Sequence, residues 1–121
     1  MQMLFDKTKL QQILDEAKAK ASQASQDYLT EWKTKTGGNQ YGEPMYCGFA
    51  WVVVKARSNS KLGKLLQENG FKKNYRSGIL DLWNPSGYYG QSMDVKERGA
   101  WAYAEHLNAN GIPCGWESRP D

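Results

Sequence analysis

The chain has 121 residues, of which 40% are hydrophobic, 24% charged and 12% aromatic, with a formal net charge of +3. That length suits one domain with its own core and is too short for two, and the composition is globular rather than disordered or fibrous. No run of 18 apolar residues occurs, and the apolar stretch in residues 1–5 is too short for a secretory signal, so a cytoplasmic protein is expected.

Residues 6–33 read as one long helix, which Asp6 or Thr8 can cap. Leu10, Leu14, Ala17, Ala21, Ala24 and Tyr28 recur at alternating steps of four and three, a narrow heptad-like stripe with small residues in its middle. At 1.5 Å per residue such a helix runs roughly 40 Å, about the expected diameter of the whole domain. It can therefore overhang the domain and form a homo-oligomer through residues 6–33, or lie across a face of the sheet that follows. Residues 36–46 hold Gly, Asn, Pro and Tyr41 and read as a connector. The chain thus divides into an N-terminal helix (1–35), a linker (36–46) and a compact domain (47–121).

In that domain, Cys47-Gly-Phe-Ala-Trp-Val-Val-Val is a strand apolar on both faces and therefore central. Ser58-Asn-Ser offers caps to a short helix whose buried side is Leu62, Leu65 and Leu66. Asn69-Gly-Phe closes it. Residues 71–76, rich in Lys and Arg, read as an edge strand. After the Ser77-Gly turn, Ile79-Leu-Asp-Leu-Trp is the third strand. Asp94-Val-Lys-Glu97 reads as a capping box for the last helix, with Ala100, Tyr103, Ala104 and Leu107 on its core face. Gly111 and Pro113 stop that helix, and residues 112–117 form a last strand held to an edge by its proline.

The order β-α-β-β-α-β, with strands one and three central and two and four at the edges, predicts an α+β fold: a ferredoxin-like sandwich, strand order 4-1-3-2, with an added long N-terminal helix. The alternative lacks the hairpin and has three strands. In the 4-1-3-2 order Cys47 and Cys114 begin antiparallel neighbours at opposite ends, which argues against a disulfide. Their spacing matches no zinc pattern, and no metal, cofactor or catalytic set is expected.

Two surfaces can carry a ligand. The helices should cover Ala50, Val52, Val54, Leu80 and Leu82, leaving Phe49, Trp51, Ile79, Asp81 and Trp83 on the other face. That face is covered by the N-terminal helix, or it is a stacking surface of the kind RNA-recognition modules carry on these strands. Lys55, Arg57, Lys61, Lys64, Lys72, Lys73 and Arg76 stand against Glu68 alone between 55 and 76, which suits phosphates. The third strand does not resemble the basic, aromatic motif of RNA-recognition modules. Asp81, within an apolar strand, is expected to pair with a neighbouring Lys or Arg, or to serve a ligand.

The loop before the last helix is the other surface. Gly87 and Gly90 permit close backbone approach, Trp83, Tyr88 and Tyr89 can stack on a ring, and Asn84, Ser86, Gln91 and Ser92 can hydrogen-bond it. A nucleotide-like or other small polar ligand fits that chemistry. His106, the only histidine, reads as a surface or half-buried helical residue.

From Cys47-Gly-Phe-Ala-Trp-Val through Trp83-Asn-Pro-Ser and Gln91-Ser-Met-Asp-Val-Lys-Glu to Glu117-Ser-Arg-Pro-Asp, the chain resembles small, uncharacterised proteins of tailed bacteriophages. The resemblance covers residues 47–121. It implies a phage accessory protein made in the host bacterial cytoplasm, and brings no activity or site with it. Three roles follow as expectations: a non-enzymatic binder of a small polar ligand, a nucleic-acid-binding module, and an interaction domain acting on a host protein.

Overall fold

The computed structural model describes residues 5–35 and 47–121; the connector 36–46, with Tyr41, lies outside the described residues. Its elements are α1 (Lys7–Lys35), β1 (Gly48–Lys55), α2 (Lys61–Glu68), β2 (Lys72–Lys73), β3 (Ile79–Trp83), α3 (Met93–Ala109) and β4 (Cys114–Pro120). The strands form one sheet ordered β2-β3-β1-β4, and every neighbouring pair is antiparallel. The class is mixed helix and sheet, α+β. No helix among the described residues is long and apolar enough to cross a membrane.

Alternation along β1 splits the sheet into two faces. Gly48, Ala50, Val52 and Val54 are buried, while Phe49, Trp51 and Val53 are half-exposed. The buried set joins Leu80 of β3, Leu65 and Leu66 of α2, and Ala100, Tyr103 and Leu107 of α3 in one core. Cys47 faces Asp121 at one end of β1 and Cys114 faces Val54 at the other, and both thiols are free.

Local chemistry sets the element ends. Asp6 caps α1, its carboxylate accepting from the Lys9 amide at 3.1 Å. Ser60 caps α2, and the chain leaves that helix through Gly70 at φ 96°, a left-handed conformation that suits glycine, before Phe71 buries its ring. Three boundaries differ from expectation. The edge strand β2 is only two residues long, because the Asn74 side chain accepts from the Arg76 amide at 2.9 Å and turns the chain away from the ladder. Ser92, rather than Asp94, caps α3: its hydroxyl accepts from the Val95 amide, two residues earlier than the capping box implied. The last strand starts at Cys114 and runs on to Pro120, which brings Arg119 into the sheet.

The placement of α1 decides which face stays open. Its buried residues are Leu10, Ile13, Leu14, Ala17, Ala21 and Ser25, and the first five belong to the shared core. Ser25 replaces Ala24 in the stripe because a straight helix drifts away from a strict seven-residue repeat. The Ser25 hydroxyl donates to the Val95 carbonyl of α3 at 2.7 Å, and Gln11 and the α2 cap residue Asn69 exchange side-chain bonds of 2.7 and 2.9 Å. At the crossing, Gly99 of α3 has no room for a side chain: a Cβ there would meet Ser86 at 2.6 Å and Ser25 at 2.8 Å. So α1 packs in the helix layer and not across the opposite sheet face. Of the predicted stripe, Leu10, Leu14, Ala17 and Ala21 are buried within the chain, while Ala24 and Tyr28 stay half-buried.

Each of Leu10, Ile13 and Leu14 contributes about 1.5–3 kcal/mol by burial. Leu14→Ala is therefore expected to lower the urea-unfolding free energy by about 2–5 kcal/mol. Deleting residues 1–35 should abolish cooperative unfolding, whereas a free arm could be removed without loss of the transition.

Candidate functional site

Register on the open face places chemistry deliberately close. Trp51 of β1 stands opposite Trp83 of β3 and Glu117 of β4, Phe49 opposite Arg119, and Val53 opposite Asp81. The two indoles stack with centroids 4.6 Å apart and planes at 14°, and Phe49 tilts against Trp83 at 5.7 Å. Cross-strand aromatic pairs of this kind contribute about 0.2–1 kcal/mol each. Trp83 remains 46% exposed. All three helices contribute to the core on the other side of the sheet.

A continuous polar chain borders the rings. The Trp51 indole N–H donates to Glu117 Oε1 at 2.9 Å. Arg76 grips the same carboxylate with both terminal nitrogens, at 2.6 and 3.2 Å. Arg76 Nε donates to Asn74 Oδ1 at 3.0 Å, and Asn74 Nδ2 donates to Asp81 Oδ2 at 2.7 Å. Asp81 is buried and takes its hydrogen bond from this amide rather than directly from a cation. The bond from Arg76, aided by the bond from Trp51, holds the Glu117 carboxyl below its ordinary value, although burial opposes the shift. The same bond raises the Arg76 pKa.

Cations mark the rim. The Arg119 guanidinium lies 5.9 Å from the Phe49 ring centre. Lys96 of α3, itself buried, lies 5.1 Å from the same ring centre and is committed to the Gly48 carbonyl, to which it donates at 2.9 Å. Lys55, register-matched to Ile79, and Lys72, matched to Asp81, share this face by strand alternation. Arg76 crosses it, and Tyr75 beside it is 91% exposed.

The basic segment 55–76 is thus divided by the fold. Lys55, Lys72 and Arg76 join Phe49, Trp51 and Trp83. Lys61 and Lys64 ride on α2 in the helix layer, Arg57 lies in the turn before it, and Lys73 is matched to the core residue Leu80. Sequence reasoning missed Glu117, Asn74 and Arg119 as members of this face. Carrying the alternation of β4 two residues further would have placed Arg119 opposite Phe49.

In the loop 84–93 most polar groups are committed to holding the loop itself. Ser92 is the α3 cap. Ser86 is buried, its hydroxyl accepts from the Tyr88 amide at 3.4 Å, and its carbonyl accepts from Ser22 of α1 at 3.2 Å. Asn84, at φ 48°, donates through Nδ2 to the Tyr88 carbonyl at 2.9 Å, and its buried Oδ1 has no partner among the described residues. Tyr89 is fully exposed and Gln91 exposed. Between this loop and α1 lie two hollows, one of about 210 Å³ reached by Tyr88, Tyr89 and Gln26, and one of about 320 Å³ lined by Leu14, Lys18, Asn84 and Gly87. Small-molecule sites usually offer about 300–1,000 Å³.

His106 is half-buried and lies 3.2 Å from Glu16 of α1, a contact between helices. Comparison of the chain with protein-family models, curated proteins and solved structures finds no match.

The Trp51–Glu117–Arg76 arrangement has a definite pH signature. Because the folded pKa of Glu117 is depressed, its stabilisation is present above the ordinary value of 4.5 and is lost as pH falls through the lower folded value. The Trp51 indole N–H resonance should titrate with a midpoint below 4.5, and Glu117→Gln should remove that step.

Proposed function

We propose that the protein binds single-stranded nucleic acid on the open face of its sheet. Bases would stack on Trp83, Trp51 and Phe49, and phosphates would lie against Arg119, Lys55 and Lys72. The observation that carries this reading is the stacked Trp51–Trp83 pair on the central strands, on the side opposite the helices and with cations at its rim. Aromatic platforms accept unstacked bases, each worth about 1–3 kcal/mol, and basic margins track the backbone. Bases inside a duplex are already stacked and cannot reach such a platform, so a single strand is the substrate. Glu117 is balanced by Arg76, which limits its repulsion of phosphate.

The same reading takes the β-α-β-β-α-β order with strand order 4-1-3-2 as a ferredoxin-like sandwich, to which α1 adds a third helix on the helix side. The resemblance of residues 47–121 to small tailed-bacteriophage proteins supports a non-enzymatic accessory role in the host cytoplasm, and rests on residue pattern alone. A small polar ligand in the loop 84–93 is less well supported, because Ser86, Ser92 and the Asn84 amide are occupied by the loop's own bonds.

Titration with a single-stranded oligonucleotide at several salt concentrations tests this reading. Affinity should fall steeply with salt, and Arg119→Ala should flatten the logarithmic slope by about 0.7. Trp83→Ala should weaken binding about fivefold or more, in line with the loss of one stacking contact. Salt-independent binding, or a Trp83→Ala variant that binds as well as the parent, would contradict it.

A further inference from the structure

A second aromatic site lies away from the open face, where α1, α3 and β4 meet. It is a hollow of about 340 Å³ lined by Tyr28, Asp94, Glu97, Arg98, Trp101 and Trp116. That volume falls within the range of small-ligand sites, about 300–1,000 Å³. Asp94, Glu97, Arg98 and Trp101 are spaced i, i+3, i+4 and i+7, so they form one stripe of α3. Trp116 is register-matched to Val52 and so points to the helix side of the edge strand, toward that stripe. Tyr28 closes the hollow from α1. Trp101 and Trp116 are 45% and 37% exposed, a large apolar area to leave in water.

The charges here differ from those on the open face. Glu97 is fixed by the Ser118 hydroxyl, which donates to its Oε2 at 2.6 Å. Asp94 adds a second carboxylate. The one cation in the lining, Arg98, lies over the Tyr28 ring at 5.0 Å, so the protein's own guanidinium already occupies one aromatic wall. Burial first, and then Asp94, Glu31 and Glu97 nearby, raise the Tyr28 pKa against the opposing effect of Arg98. In the lining itself the two carboxylates, Asp94 and Glu97, outnumber the single cation Arg98.

We propose that this hollow binds an organic cation of the quaternary or methylated ammonium class, with Trp101 and Trp116 as aromatic walls and Asp94 and Glu97 as counter-charges. Such a cation is weakly hydrated and is attracted to the faces of indole rings, with tryptophan the strongest partner. An anion would meet two carboxylates. A neutral apolar ligand would desolvate them without compensation.

The test is an NMR titration of the full chain with choline and, separately, with its uncharged carbon isostere 3,3-dimethylbutan-1-ol. Choline should shift the Trp101 and Trp116 indole signals saturably, and the isostere should bind about threefold or more weakly. Trp101→Ala and Asp94→Asn should each weaken choline binding, while Trp83→Ala should leave it unchanged, separating this site from the nucleic-acid face. Equal affinity for the isostere, shifts confined to other tryptophans, or no saturation would overturn the proposal.

Discussion

The close crossing of α1 over α3 is the contact on which the rest of the surface depends. Ala17 and Ala21 are fully buried, Ser25 is bonded to the Val95 carbonyl, and Gly99 admits no side chain at the crossing. Small residues let the two helices approach closely, and burial of Leu10, Ile13 and Leu14 supplies the driving force. A helix held in this way cannot also lie across the far side of the sheet. One packing decision therefore hides most of the α1 stripe and leaves Phe49, Trp51 and Trp83 on the side away from the helices.

What that face presents is organised before any ligand arrives. The indole of Trp51 is held by Glu117, Glu117 by Arg76, Arg76 by Asn74, and Asn74 by Asp81. The network spans β1, β4, β3 and the segment after β2, so it ties the orientation of the stacked rings to the pairing of three strands. Aromatic groups fixed in this manner lose little further freedom on binding, which favours affinity. The α3 stripe that carries Trp101 has the opposite polarity, with Asp94 and Glu97 beside the rings. The two aromatic surfaces differ in the charge that accompanies them, and hence in the ligands that suit them.

Much of this was legible in the residues. The alternation of Phe49, Trp51 and Val53 with Ala50, Val52 and Val54 assigned the two sheet faces, and the Lys-rich and Pro-containing segments marked the edges. The side on which α1 packs was not legible, because an alanine-rich stripe fits a helix, a sheet or another copy equally well. The cap of α3 was misplaced because Ser92 and Asp94 both have side chains suited to that position, and tertiary packing chose the serine. The polar network escaped notice because it joins residues 51, 74, 76, 81 and 117, brought together only by strand register. The ligand set in loop 84–93 drew on side-chain types alone, whereas the bonds of Ser86, Ser92 and Asn84 depend on how the loop packs against α1 and α3.

The most direct measurement is a backbone and indole NMR map of the protein with a single-stranded oligonucleotide. The account predicts shifts at the Trp51 and Trp83 indoles and along the open-face residues of β1, β3 and β4, with the buried faces of α1 and α3 unmoved. Shifts confined to α2 and the loop 84–93, or no shifts at saturating oligonucleotide, would contradict it.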